Sequence, residues 1–146
     1  MRTIPLNAGL LLSFAAAAAF SQGAALPRTD SPAGAKAYIV SPAHGERVSS
    51  PFTVKFGLQG MGVAPAGVTN ANTGHHHLLI DVDTLPPDNL PLPATDHIVH
   101  FGGGQTETVL DLPPGEHTLQ LVLGDALHIP HNPPVRSARI MVTVTD

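Results

Sequence analysis

FTVKFGL, residues 52–58, alternates without a break: Phe52, Val54, Phe56 and Leu58 fall on one face, and Thr53, Lys55 and Gly57 on the other. A period of two is the mark of a strand with one face in a core and one in solvent. The same pattern returns near the end of the chain. HTLQLVL (His117–Leu123) sets Leu119, Leu121 and Leu123 inward, and SARIMVTVTD (Ser137–Asp146) sets Ala138, Ile140, Val142 and Val144 on one side. AYIV (37–40), HHHLLIDV (75–82), HIVHF (97–101) and QTETVLDL (105–112) are shorter strand candidates. Turn chemistry separates them: SPAHGERVSSP (41–51), the four-proline DTLPPDNLPLPATD (83–96) and PPGE (113–116). Fifteen prolines and no sustained 3.6-residue period argue against long helices. The reading is all-β: an antiparallel immunoglobulin-like β-sandwich of about 6–8 strands. It occupies residues 37–146 as a single domain. PPGE ahead of a Leu-rich strand resembles the corner between strands E and F of that fold. The tyrosine usual at such a corner is absent, and His117 opens the strand instead.

Residues 1–25 read as a secretory signal peptide: Arg2, an apolar run from Ala8 to Phe20, then small residues, with cleavage expected between Ala19 and Ala25. The run is about 13 residues, short of the roughly 20 that span a bilayer. Export to a periplasm or secretion is therefore expected, with no stable membrane insertion after cleavage. Residues 26–36 (LPRTDSPAGAK) lack periodicity and read as a flexible linker. From Leu26 on, six basic residues (Arg28, Lys36, Arg47, Lys55, Arg136, Arg139) face eleven acids and form no cluster, which disfavours nucleic acid as a partner. Cysteine is absent, so an exported form has no disulfides and no thiolate ligand for a metal.

Nine histidines are many for this length. In GHHHLLID, strand geometry divides the triplet. His76 joins Leu78 and Ile80 on the more apolar side and reads as a core histidine bonded to a backbone carbonyl. His75 and His77 share the opposite face, with Cβ atoms roughly 6.5–7 Å apart, close enough to hold one ion. Two His-x-x-His pairs extend the set. His128 and His131 flank Pro130 in a bent, stiff loop, with Asp125 nearby as an oxygen ligand or as partner to an imidazole. His97 and His100 lie on a short strand, so at most one of them reaches a shared site. Metal-ligand candidates are thus His75, His77, His128, His131, His100 and His97. Imidazole nitrogen suits copper or zinc rather than calcium or magnesium. Met61 offers a thioether ligand or a hydrophobic plug. His44 reads as a solvated turn residue and His117 as structural. The uncharged segment Gln59–Gly74 is long enough to be either functional or packed on the domain.

The blocks SPAHGERVSSPFTVKFGLQGMGVAPAGVTNANTGHHHLLID, HFGGGQTET and LPPGEHTLQLVLGDALHIPHNPPVRSARIMVTV resemble a family of small exported bacterial proteins known as a domain of unknown function. GHHHLLID is its most recognisable signature. The resemblance implies export and a single domain, and carries over no site residues. Three functions compete. The first is transition-metal binding in the periplasm. The second is a non-catalytic immunoglobulin-like module that binds an envelope protein or glycan. The third is an enzyme, for which the sequence offers little: no serine stands in a G-x-S-x-G context, and no helix with a lysine follows Gly102–Gly104.

Overall fold

A computed structural model describes residues 26–145; the expected signal peptide lies outside the described residues. Nine strands form: β1 (Lys36–Ser41), β2 (Arg47–Ser49), β3 (Phe52–Gln59), β4 (Gly62–Val63), β5 (Thr73–Ile80), β6 (Ile98–His100), β7 (Glu107–Leu110), β8 (Gly115–Gly124) and β9 (Ile140–Thr145). One sheet has the order β1-β3-β7. The other runs β2-β9-β8-β5, with β4 and β6 both paired to β5. With β1, β3 and β7 as A, B and E, and β9, β8 and β5 as G, F and C, this is the strand order of an immunoglobulin-like sandwich. The alternation of FTVKFGL is realised in β3: Phe52, Val54 and Phe56 are buried, Thr53 and Lys55 exposed. They meet Leu78, Ile80, Leu119, Leu121, Leu123, Val142 and Val144 from the second sheet in one core. Each such side chain, fully buried, contributes about 1.5–3 kcal/mol.

The expectation of a purely antiparallel sandwich is corrected by two short parallel pairs, β2 with β9 and β4 with β5. Both lie in segments read as turn or loop. A segment that crosses between sheets is free of the hairpin constraint and can reach an edge in either direction. At two or three residues, β2 and β4 are too short to carry a periodicity. The Gln59–Gly74 segment packs on the domain, with Ala64, Ala66 and Gly67 N–H groups bonded to the carbonyls of Gly74, Gly102 and Ala126.

Three further features position the site. The outer face of β5 and β8 is covered: the proline-rich loop after β5 folds over it, and Leu79, Val122, Leu92 and Ile98 form a second apolar cluster. β5 is consequently buried on both faces, from Gly74 to Ile80. Second, His117 takes the place of the corner tyrosine. Its Nε2–H donates to Pro113 O (2.8 Å) and its Nδ1–H to Asp81 Oδ2 (2.7 Å). Both partners only accept, so the ring is held as an imidazolium. Burial opposes that charge, but the Asp81 and Pro113 hydrogen bonds and the Asp81 charge outweigh it and raise the His117 pKa. Third, the stretch read as a flexible linker, 26–36, makes specific contacts. Arg28 bonds to the carbonyls of Pro130 and His131, Thr29 Oγ1 donates to Asp125 Oδ2 (2.7 Å), and Ser31 N–H donates to Asn132 O (3.0 Å). β1 itself begins at Lys36.

Candidate metal centre

β5 sends His75 and His77 to its outer face, as the alternation requires, but the covering loops leave both rings fully buried. The third imidazole comes from the loop between β8 and β9. Asp125 shapes that loop: its Oδ1 accepts from the N–H groups of Leu127 (2.9 Å) and Ile129 (3.0 Å), and its Oδ2 accepts from Thr29. Both Asp125 oxygens are thus engaged within the protein, and the residue stands outside the imidazole group. The turn it closes holds His128 at φ 66°, a left-handed conformation few non-glycine residues adopt. Such strain persists only where surrounding structure enforces it, and it clusters at functional sites.

His128 Nδ1 lies 2.9 Å from His75 Nε2 and 3.3 Å from His77 Nε2. The three ligand atoms all fall within 4.8 Å of one another. Nitrogens bound tetrahedrally at 2.0–2.1 Å from one zinc would stand roughly 3.3 Å apart. The two spacings to His128 Nδ1 match those of a shared ion. Without an ion, the one in-plane site of His128 Nδ1 is shared between two imidazole nitrogens, whichever of them carries the hydrogen. An ion engages all three lone pairs. The Nδ1 atoms of His75 and His77 are buried and have no protein partner.

The electrostatics keep these rings neutral. Burial, then the neighbouring His128 and His100, lower the His75 pKa to about 4. Burial, then His75, His100 and His128, lower that of His77 to about 2. His128 is lowered by burial and by His100, with Asp125 opposing. A neutral imidazole is the form that ligates metal.

The remaining candidates separate. His100, paired in register with His77, brings its ring to 4.4 Å from that of His77 and 4.7 Å from that of His128. It stands beside the three-nitrogen group and not in it. His131 is fully buried and faces the carbonyls of Thr73 (Nε2, 3.2 Å) and Leu123 (Nδ1, 3.4 Å). The two histidines of HIPH part because Pro130 bridges back to Gly124 as extended chain, where residues three apart point opposite ways. His97 is exposed and donates from Nδ1 to Ile80 O (2.9 Å). Met61 is half-buried against the core, the plug reading. His44 is exposed, and its Nδ1 accepts from Met141 N–H (3.1 Å). His76 lies in the core beside Phe56 (ring centroids 5.3 Å), but neither of its nitrogens has a partner, which corrects the expected carbonyl bond.

Sequence reasoning missed one site determinant and gave another a different role. Gly124 is the first: a Cβ there would stand 2.4 Å from His77 Cε1. Asp125 is the second, acting on backbone N–H groups two and four residues ahead. The signal for both was GDALH directly after a strand, where glycine permits close approach and aspartate closes a turn.

A family model described as a domain of unknown function, DUF4399, matches residues 54–145. No curated protein and no solved structure matches the chain.

Proposed function

We propose that this chain, which belongs to the DUF4399 family, is an exported binding protein for one transition-metal ion of the copper or zinc class, held by His75, His77 and His128. The observation that carries this reading is the convergence of three imidazole nitrogens, two from one strand and one from a strained loop residue: His128 Nδ1 stands 2.9 and 3.3 Å from the Nε2 atoms of His75 and His77, and all three lie within 4.8 Å of one another. Packing alone does not account for such a cluster, since burying polar rings against one another, with the Nδ1 atoms of His75 and His77 left without a partner, costs free energy. Nitrogen donors with no thiolate or carboxylate among them suit Cu(II), Zn(II) and Ni(II). His97, His117, His131 and His44 serve the fold in this reading, each bonded to backbone or carboxylate groups. The expected export fits a role in which metal is met outside the cytoplasm.

The test is direct. Purified protein lacking residues 1–25 is stripped of metal and titrated with Zn(II) and Cu(II) by calorimetry. One ion per chain is expected, with loss of the high-affinity phase in His77→Ala and in His128→Ala, and retention in His97→Ala. Absence of binding in the wild-type chain, or binding in His77→Ala and His128→Ala as tight as in wild type, overturns it.

A further inference from the structure

The three-nitrogen group has no fourth member among the described residues. The nearby alternatives are committed elsewhere. Asp125 accepts from Thr29, Leu127 and Ile129, and His131 faces the carbonyls of Thr73 and Leu123. Structural zinc sites are closed by four protein ligands, whereas three ligands leave a position for water or a substrate. One further side chain borders the three-nitrogen group. His100 is half-buried, as is His128, and its ring touches those of His77 and His128. It is held there by strand pairing, opposite His77. Its tautomer is fixed as well. Nε2 faces Pro93 O at 3.1 Å, and a carbonyl only accepts, so Nε2 carries the hydrogen. Nδ1 is the other nitrogen of a ring that packs against those of His77 and His128.

We infer that the ion bound by His75, His77 and His128 keeps one position for an exchangeable water or small monodentate anion, and that His100 Nδ1 accepts a hydrogen bond from the bound water. This rests on the metal reading above and adds to it a small-ligand site with a positioning residue. His100 does not ligate the ion; it favours a ligand that can donate a hydrogen bond over one that cannot.

The experiment uses Cu(II)-loaded protein at pH 8, with azide as the probe. Azide bound to Cu(II) gives a charge-transfer band absent from the water form, and azide cannot donate a hydrogen bond. Wild-type protein is expected to develop the band on titration. His100→Ala and His100→Phe, the latter preserving the ring packing, are expected to keep one copper per chain. Both should bind azide about fivefold more tightly, because a hydrogen bond of about 1 kcal/mol to the competing water is gone. No azide band in copper-loaded wild type shows a closed centre and overturns this inference while leaving metal binding intact. Loss of copper in both His100 variants makes His100 a ligand and overturns it, as does unchanged azide affinity. Failure of the wild type to bind copper or zinc at all refutes the metal reading itself.

Discussion

Gly124→Ala tests the site by steric exclusion, without removing a ligand. The φ at Gly124 is not in the left-handed region, so alanine meets no backbone penalty. The new Cβ, however, stands 2.4 Å from His77 Cε1, 3.0 Å from His77 Nδ1 and 3.3 Å from the carbonyl carbon of His128. Carbon atoms pack at about 3.5–4.0 Å, so the His77 ring gives way by about 1 Å. It has little room, since the rings of His75 and His100 lie 4.5 and 4.4 Å from it. In the metal-free protein the ring relieves the clash by turning. In the bound form it has to return, and the overpacking cost of about 1–3 kcal/mol falls on binding. At about 1.4 kcal/mol per tenfold, Zn(II) affinity drops roughly 5- to 150-fold although all three imidazoles remain. Competition titration against a chelator measures this, with circular dichroism to verify the β fold. Gly62→Ala is the control, its Cβ meeting nothing closer than Thr73 Cγ2 at 3.6 Å. Affinity in Gly124→Ala within twofold of wild type would refute the reasoning.

Three further outcomes are expected. His76→Leu, close to isosteric and relieving two buried unpaired nitrogens, should raise the unfolding free energy at pH 7 by about 1–2 kcal/mol in urea titrations; a loss of stability would show that His76 has a partner. His117→Gln probes the imidazolium corner: with its folded pKa raised, His117 contributes stability that is fully present below its unfolded value of about 6.5 and lost as pH rises through the folded pKa. Asp81 is under the opposite sign: burial pushes its pKa up, the bonds from His117 and Thr118 N–H outweigh this and lower it, and its contribution fades as pH falls through the folded pKa. The wild-type advantage over His117→Gln should therefore be largest between about pH 4 and 6.5 and shrink above, and a flat difference across pH 5–9 would contradict the doubly donating ring. Free Zn(II) at a hundred times its dissociation constant should stabilise the folded chain by about 2.7 kcal/mol, a rise of near 10 °C in Tm for a domain of this size, and no rise for His77→Ala.

The sequence alone determined what depends on local period and composition. Alternation in 52–58, 117–123 and 140–144 fixed which side chains enter the core, because in a strand successive side chains point to opposite faces. The same rule divided His75 and His77 from His76. It did not say that both faces of β5 are buried, since the covering loop 81–97 carries no period and its place follows from Leu92 and Ile98 meeting Leu79 and Val122 across the chain. Nor did it distinguish His128 from His131. Both stand in one four-residue stretch of the loop between β8 and β9, and only the Asp125 turn and the Gly124–Pro130 bridge send one ring outward to the cluster and the other back to the carbonyls of Thr73 and Leu123. The short parallel strands were equally beyond reach, because two or three residues have no pattern until an edge is there to receive them. Local sequence sets the direction in which each imidazole points. Whether three of them share a centre depends on contacts more than fifty residues apart along the chain, such as His75 with His128, and those form only when the sandwich closes.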